Sequence, residues 1–539
     1  MSSGVEPETY REVERKLRVH ALYRLPDLAG DAGPEQIVLA VARPPFVLTA
    51  EYFDTGDLRL ARSGITLRRR EGGDDAGWHL KLPTEEQSTR DEIRLPLDVR
   101  PRSRPAQPPA ELLDLVLGVT RGVTVEPVAT LRTDRTAHEL MTADGRLVAE
   151  LTDDSVSVLD AGRVAGKFRE LEVESRDGTV DEIDAIVRYL VSSGAVAGGL
   201  PPKVVRALGP AATAAPDVVS PSGNVDEHDP AGAALQAHLA RHTAALLRQD
   251  LRVRRRLPDS VHQLRVAARR LRSGLKVFAP LVDREWATSL AEELAWVAGE
   301  LGQLRDREVL EERLLRDLAA IPSARPGYED QGVPGLDVTD ARDVAAAISV
   351  VRRAFEDEEI QAAASVDAAL NSSRYLALLD SLVDAVHSPR LNELAVEPCS
   401  RVLPGLVADS WRKLARAVKR LDPQGPDEPW HAVRIRAKRA RYAAEAVSGI
   451  FGKPARALAE DLENVTELLG DHQDSVIAAR TVRRLAAGRR VTGTTGFVLG
   501  LLHELEREHA RADRFAFAAV WADISDDRGR SRSWPGAHG

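Results

Sequence analysis

The chain has a single cysteine, Cys399, in 539 residues, and aromatic residues make up only 4% of it. One thiol excludes a disulfide framework and a thiolate-held metal, and a lone free cysteine fits a reducing cytoplasm. So few aromatic rings leave little for the base-stacking platforms of single-strand nucleic-acid binders. Long apolar runs are missing too: GFVLGLL near residue 500 falls far short of a bilayer span. The opening MSSGVEPETYREVERK lacks the basic start and apolar core of a signal peptide. The expected setting is therefore cytoplasmic, with no membrane partner. Net charge is −9. That argues against a generally basic nucleic-acid coat and leaves local clusters of base as the place for an anion site. The length implies two or three domains.

Such clusters occur twice. VHQLRVAARRLRSGLKVF, residues 261–278, read as a helix, sets His262, Arg265, Arg269, Arg272 and Lys276 on one stripe. HAVRIRAKRARYAAEAV, residues 431–447, repeats the steps with His431, Arg434, Lys438 and Arg441, then ends in Glu445. Like charges one turn apart repel unless an anion neutralises them. The segments downstream echo as well: LGQLRDREV carries Gly302 and Asp306, and LGDHQDSVI carries Gly470 and Asp474. That shared register predicts two similar helical units that stack or face each other. A capping or core role is the plain alternative for both histidines, but a solvated face mixes signs and these stripes scarcely do. Neither histidine has a second His or carboxylate at i+3 or i+4, so phosphate is the expected partner rather than metal.

The pattern resembles the CHAD domain, an all-helical module of two pseudo-symmetric four-helix units around a basic pocket for inorganic polyphosphate. The resemblance covers roughly residues 228–520. It implies that both ladders bind polyphosphate, with Lys413, Lys419 and His472 as weaker candidates. Asp306 and Asp474 either brace the arginines or cap helices.

The first half of the chain has a different period. Residues 10–19 alternate strictly, with Glu12, Glu14, Lys16 and Arg18 on one strand face. ITLRRREGG puts Arg68 and Arg70 together, and GWHLKLP sets His79 and Lys81 opposite Leu80 and Leu82. TRDEIRLPL groups Arg90, Glu92 and Arg94, while VATLRTDRT supplies Arg132 and Arg135. LVAELTDDSV adds Glu150, Asp153 and Asp154, and KFRELEVESR aligns Glu170, Glu172 and Glu174. Many short strands with Gly, Asp and Pro turns predict an antiparallel sheet closed into a barrel. Charges of both signs facing one interior make sense if a metal and an anion lie between them, because unpaired buried charge is prohibitively costly.

Glu12-x-Glu14-x-Lys16 resembles the ExExK signature of the CYTH superfamily, the triphosphate tunnel metalloenzymes. The blocks YFDTGDLRLARSGITLRRR, WHLKLP, ELTDD, RELEVE and PPKVVRAL follow in that family's order over residues 8–207. The resemblance implies a catalytic group of Glu12, Glu14 and Lys16. It implies Mg2+ or Mn2+ held by Glu12, Glu14, Asp153, Glu172 and Glu174, oxygen ligands that suit hard cations. Arg68, Arg70, Lys81, Arg132 and Lys203 would grip phosphoryl oxygens, arginine bidentately and lysine as a point charge. Asp153 and Asp154 point oppositely in an extended strand, so only one should face the tunnel. Which two of Glu170, Glu172 and Glu174 meet metal stays open. Arg90, Glu92, Arg94 and Arg135 stay open between tunnel residues and barrel-rim ion pairs.

The expected fold class is α+β: an N-terminal antiparallel β-barrel with flanking helices, then an all-α domain of two four-helix units. The domains are residues 1–207, a flexible linker 208–227, the helical domain 228–520 and a disordered tail 521–539, with a long surface loop over 322–343. The expected activity is metal-dependent hydrolysis of a triphosphate, with inorganic tripolyphosphate the leading substrate and nucleoside or thiamine triphosphate behind it. Inorganic polyphosphate is the expected partner of the helices, and nucleic acid is disfavoured. The same charges would also serve an adenylyl cyclase, or a non-catalytic scaffold on polyphosphate granules.

Overall fold

The structure is a computed structural model that describes residues 8–29, 34, 37–84, 89–97, 106–321, 323–324, 339–488 and 491–525. The chain divides into two compact units between Asp217 and Val218.

The strands of the first unit are β1 (Glu8–Val19), β2 (Leu39–Ala42), β3 (Phe46–Asp54), β4 (Thr66–Glu71), β5 (Gly77–Pro83), β6 (Thr89–Pro96), β7 (Glu126–Met141), β8 (Leu147–Asp160), β9 (Arg163–Ser175) and β10 (Val196–Ala197). Its helices are α1 (Arg59–Arg62), α2 (Ala110–Thr120), α3 (Val180–Ser192) and α4 (Lys203–Leu208). Strand β1 pairs antiparallel with β6 through its first half and with β9 through its second. The sheet runs β1-β6-β5-β4-β3-β7-β8-β9 and returns to β1, a closed barrel of eight strands. Closure leaves these strands no open edge.

Alternation then sorts the side chains. Leu17, Ala149, Leu151, Leu171 and Val173 face outward and are buried beneath Ile183, Ile186 and Leu190 of α3. That helix starts on a capping box, Thr179 with Glu182. The opposite parity faces the lumen. Toward one end it is apolar: Val204 and Val205 of α4 pack with Tyr52, Leu131 and Val156.

The second unit is helical: α5 (Ala231–Arg254), α6 (Ser260–Val277), α7 (Arg284–Ala320), α8 (Ala341–Leu370), α9 (Ser373–His387), α10 (Cys399–Val418), α11 (Asp427–Phe451), α12 (Lys453–Ala486) and α13 (Gly493–Ser525). Helices α5 to α8 pack in sequence, as do α10 to α13; α6 touches α11 and α8 touches α13. The two four-helix sets match the repeat in the sequence. Helix α9, which packs on α5, is an addition to it.

Residues within the expected linker make contacts in each unit. Ala212 is buried in the apolar cluster of the barrel, and Asp217 pairs with Arg62 at 2.8 Å and with Arg121. Val218 is buried in the helical core. Helix α13 runs to Ser525, past the expected end at 520; residues 526–539 lie outside the described residues. The expected loop is likewise described only at its edges, and α8 already begins at Ala341. Among the described residues no helix is long and apolar enough to cross a membrane.

Leu171 is fully buried under α3. Leu171→Ala should cost about 2–5 kcal/mol, seen as a lower urea midpoint for the barrel. An unchanged midpoint would place Leu171 outside the packed core.

Candidate functional site: a charged lumen and a basic seam

The lumen parity of the barrel strands is the charged one. A cavity of about 220 Å3 is lined by Glu12, Glu14 and Lys16 of β1, Arg68 and Arg70 of β4, Lys81 of β5, and Arg90, Glu92 and Arg94 of β6. Arg135 of β7, Glu150 of β8, Glu172 and Glu174 of β9, and Lys203 of α4 line it too, as do Arg43, Asp74, Asp75 and Arg176. Strand register sets the neighbours: Lys16 lies opposite Glu172, Glu14 opposite Glu174, and Glu174 opposite Glu150.

These charges are already paired. Lys81 Nζ lies 2.6 Å from Glu12, and Lys16 Nζ lies 2.7 Å from Glu172 and 3.1 Å from Glu14. Lys203 Nζ reaches Glu172 at 2.7 Å and both Asp154 and Glu170 at 3.0 Å. Arg135 donates to both oxygens of Asp154, at 2.8 and 2.7 Å. Burial by itself would raise the Glu172 carboxyl, but Lys16, Lys203 and Arg135 hold it well below its ordinary range. Lys203 and Arg135 likewise overcome burial at Asp154, and Lys16 and Lys81 do so at Glu14. Glu174 goes the other way: burial raises it, Arg176 opposes, and Glu12 adds to the rise. Burial, then Arg68 and Arg135, bring Arg70 down to about 9.

Two expected residues stay outside. Arg132 is half exposed and paired with Asp134 on the outer face. Its strand turns Leu131, Thr133 and Ala137 inward, so Arg135 takes the lumen position. Asp153 is bound from outside by Arg169 at 2.6 and 2.8 Å, while Asp154 is fully buried against Lys203. Arg90, Glu92, Arg94 and Arg135, left between tunnel and rim by the sequence, all line the cavity. Glu172 and Glu174 line it as well, whereas Glu170 is buried behind Lys203 and Arg206. Glu150 was not singled out as a ligand; its four-residue spacing from Asp154 puts both on one strand face.

The carboxylates of Glu12, Glu14, Glu150, Glu172 and Glu174 converge, together with Glu92, on one cavity that no sulfur ligand lines. That donor set fits a hard divalent cation such as Mg2+ or Mn2+.

In the helical unit the two ladders meet where α6 packs on α11. Arg265 binds Asp306 at 2.6 and 3.0 Å and lies over Gly302, where a Cβ would come within 3.0 Å of the guanidinium. Arg265, Arg272 and Arg434 each keep a buried Nε without a hydrogen-bond acceptor. Burial, then Arg269 and Arg434, bring Lys438 down to about 7. Lys276 is lowered too, by burial and then by Arg272 and Arg439. The seam is a crowd of cations short of anions.

Other ladder residues have neighbours of their own. Arg441 is held by Glu445 at 2.7 Å, by Thr466 at 3.1 Å and by Glu463. His262 lines a separate groove with Val253, Pro258 and Glu308. His431 lies 2.8 Å from Gln473. Of the weaker candidates, His472 is buried against Arg514 and Trp430, and Lys413 pairs with Asp409.

A closed antiparallel barrel with a charged lumen, followed by a helical unit with a basic seam, defines a two-domain tunnel protein. The chain belongs to the CYTH–CHAD family: the CYTH domain model matches residues 10–192 and the CHAD domain model residues 237–483. Uncharacterized protein Rv2226 of Mycobacterium tuberculosis is 34% identical over 529 residues, 94% of this chain and 95% of that one. Among solved structures, PptA from Streptomyces chartreusis is 28% identical with a TM-score of 0.46, over 55% of this chain and 100% of its own. The CHAD domain from Ricinus communis is 24% identical with a TM-score of 0.43, over 56% and 95%. CYTH-domain enzymes act on triphosphates, triphosphatases and adenylyl cyclases among them.

Lys203 compensates three buried carboxylates, whereas Arg132 compensates none. Lys203→Met should therefore destabilise the barrel by about 3–5 kcal/mol, and Arg132→Met by less than about 0.5 kcal/mol. Denaturant unfolding decides; equal effects would contradict the burial of this cluster.

Proposed function

We propose that the barrel hydrolyses inorganic tripolyphosphate with a divalent metal, and that the α6–α11 seam binds inorganic polyphosphate. The observation that carries the first reading is the interleaving of cations and carboxylates around one small cavity. Its volume of about 220 Å3 falls below the roughly 300–1,000 Å3 of pockets for drug-sized ligands. A compact anion suits it better than a nucleotide or thiamine triphosphate.

Phosphoryl transfer asks for positioning and charge neutralisation more than for covalent chemistry. Lys16, Arg68, Arg70, Lys81, Arg135 and Lys203 would move onto the phosphoryl oxygens. Each lysine that does so leaves a carboxylate: Lys81 leaves Glu12, and Lys16 leaves Glu14 and Glu172. Those carboxylates, with Glu150 and Glu174, are the ones that would hold the metal. When bound, the metal supplies charge neutralisation and a more acidic water. The residues orient the chain so that water attacks the terminal phosphorus in line with the departing pyrophosphate.

Glu12→Gln or Glu14→Gln should lower phosphate release from tripolyphosphate by about a hundredfold or more, and Arg135→Gln by about tenfold or more. Arg132→Gln should stay within about twofold of the parent, because it touches no lumen group. Unchanged turnover in both glutamate variants would sink the site. No release with either Mg2+ or Mn2+ would leave the barrel a binding module, and cyclic AMP from ATP would make it a cyclase.

For the seam, the supporting observation is the set of buried guanidinium Nε–H groups without acceptors, which phosphate oxygens would supply. Lys438 adds a pH dependence. Its folded value of about 7 lies below its ordinary 10.5, so between those values the unfolded chain binds more protons and the anion-free fold gains stability as pH rises. A bound polyanion reverses this by drawing the proton back. Short-chain polyphosphate should thus bind more weakly as pH climbs past 7, and at pH 8 should take up as much as about one proton. Calorimetry in buffers of different ionisation heat measures that uptake. Lys438→Met should abolish it, and identical heats across buffers in the parent would refute it.

A further inference from the structure

The segment Glu506-Arg507-Glu508-His509 lies within α13 and sets a carboxylate and an imidazole three residues apart, on one helical face. In helix bundles a Glu-x-x-His pair facing a carboxylate from another helix is a recurring way to hold a metal. Here the facing carboxylate is Asp317 of α7. One ligand atom from each of Asp317, Glu506 and His509 lies within 4.8 Å of the others. Asp317 is 7% exposed and Glu506 fully buried. His509 Nδ1 stands 3.8 Å from Glu506 Oε2, too far for a hydrogen bond. Two atoms each about 2.1 Å from one ion can stand up to about 4.2 Å apart, so the gap suits a shared cation.

Two further observations point to an ion. Asp317 Oδ1 accepts from Arg316 at 3.1 Å, whereas its buried Oδ2 meets no donor group and the Asp317 carboxylate faces that of Glu506. Arg313 holds both oxygens of Glu506 at 2.8–3.1 Å and is itself held by Ser475. A carboxylate offers about four lone-pair sites, so Arg313 leaves part of Glu506 unused.

We propose that Asp317, Glu506 and His509 form a site for a first-row divalent metal, Zn2+ or a similar ion, in the helical unit. The imidazole favours such an ion over Mg2+ or Ca2+. The ion ties α7 to α13 beside the apolar cluster of Leu314, Leu318 and Leu502. His509 is partly exposed, which gives the ion a route in, and three protein ligands leave a coordination position for water.

The test uses full-length protein stripped with a chelator, then titrated with Zn2+ and, for its visible absorption, Co2+. A parent carrying Glu12→Gln and Glu14→Gln in the lumen should still bind about one Zn2+ per chain. Adding His509→Gln or the isosteric Asp317→Asn should remove that ion or weaken it roughly tenfold or more. Zn2+ should raise the melting temperature of the helical unit, and His509→Gln should cancel the rise. His509→Gln alone should leave tripolyphosphate hydrolysis as it was. Equal Zn2+ stoichiometry with and without His509 would overturn the proposal. So would no Zn2+ uptake at all, the result expected if Asp317 and Glu506 merely share a proton.

Discussion

Charge can sit inside the barrel only in compensated form, and the rest of the unit follows from that. Asp154, Glu170 and Glu92 are almost completely buried, which is tolerable only because cations reach them directly. The cations come from distant parts of the chain: Arg135 from β7, Lys81 from β5, Lys203 from α4. Helix α4 is therefore part of the lumen chemistry as well as a plug. It delivers Lys203 into the charged cluster while Val204 and Val205 seal the apolar end. A lumen so balanced has little net attraction for a metal or an anion alone. Under the proposed function, binding would exchange internal pairs for external ones, so each ligand would ease the way for the other.

The helical unit solves the opposite problem. Its seam keeps cations together, and burial followed by the neighbouring cation Arg269 lowers both Lys438 and Arg434. Packing of α6 on α11 maintains the crowd, and Gly302 lets Arg265 lie close over α7. Such a surface is charged in advance and has no need of a metal to receive a polyanion. One chain thus holds two charged environments of different character, one neutralised and enclosed, the other positive and held by helix packing.

Much of this was legible in the residue pattern. Period-two alternation grouped Glu12, Glu14 and Lys16 of β1, Arg68 and Arg70 of β4, and Glu172 and Glu174 of β9 on their lumen faces. It faltered on β7 and β8. VATLRTDRT has an arginine on each face and ELTDDS an aspartate on each, so parity alone could not choose Arg135 over Arg132 or Asp154 over Asp153. Barrel register chose. The helical ladders show a similar limit: Arg434 and Lys438 crowd against Arg269, whereas Arg441 on the same stripe is held by Glu445. A helix contacts its neighbour over only part of its length, and a stripe does not say which part.

The sequence by itself determined the two-unit plan, the barrel and helical classes, the ExExK strand and the duplicated ladders. Each of these is written in local periodicity and in motif order. Only the tertiary structure decided which charges compensate one another, that residues 208–217 are bound to the barrel, and that Asp317 faces Glu506 and His509 across two helices. Those pairings join residues far apart in the chain. Closure of the sheet and the packing of helices set them, and no local pattern encodes that geometry.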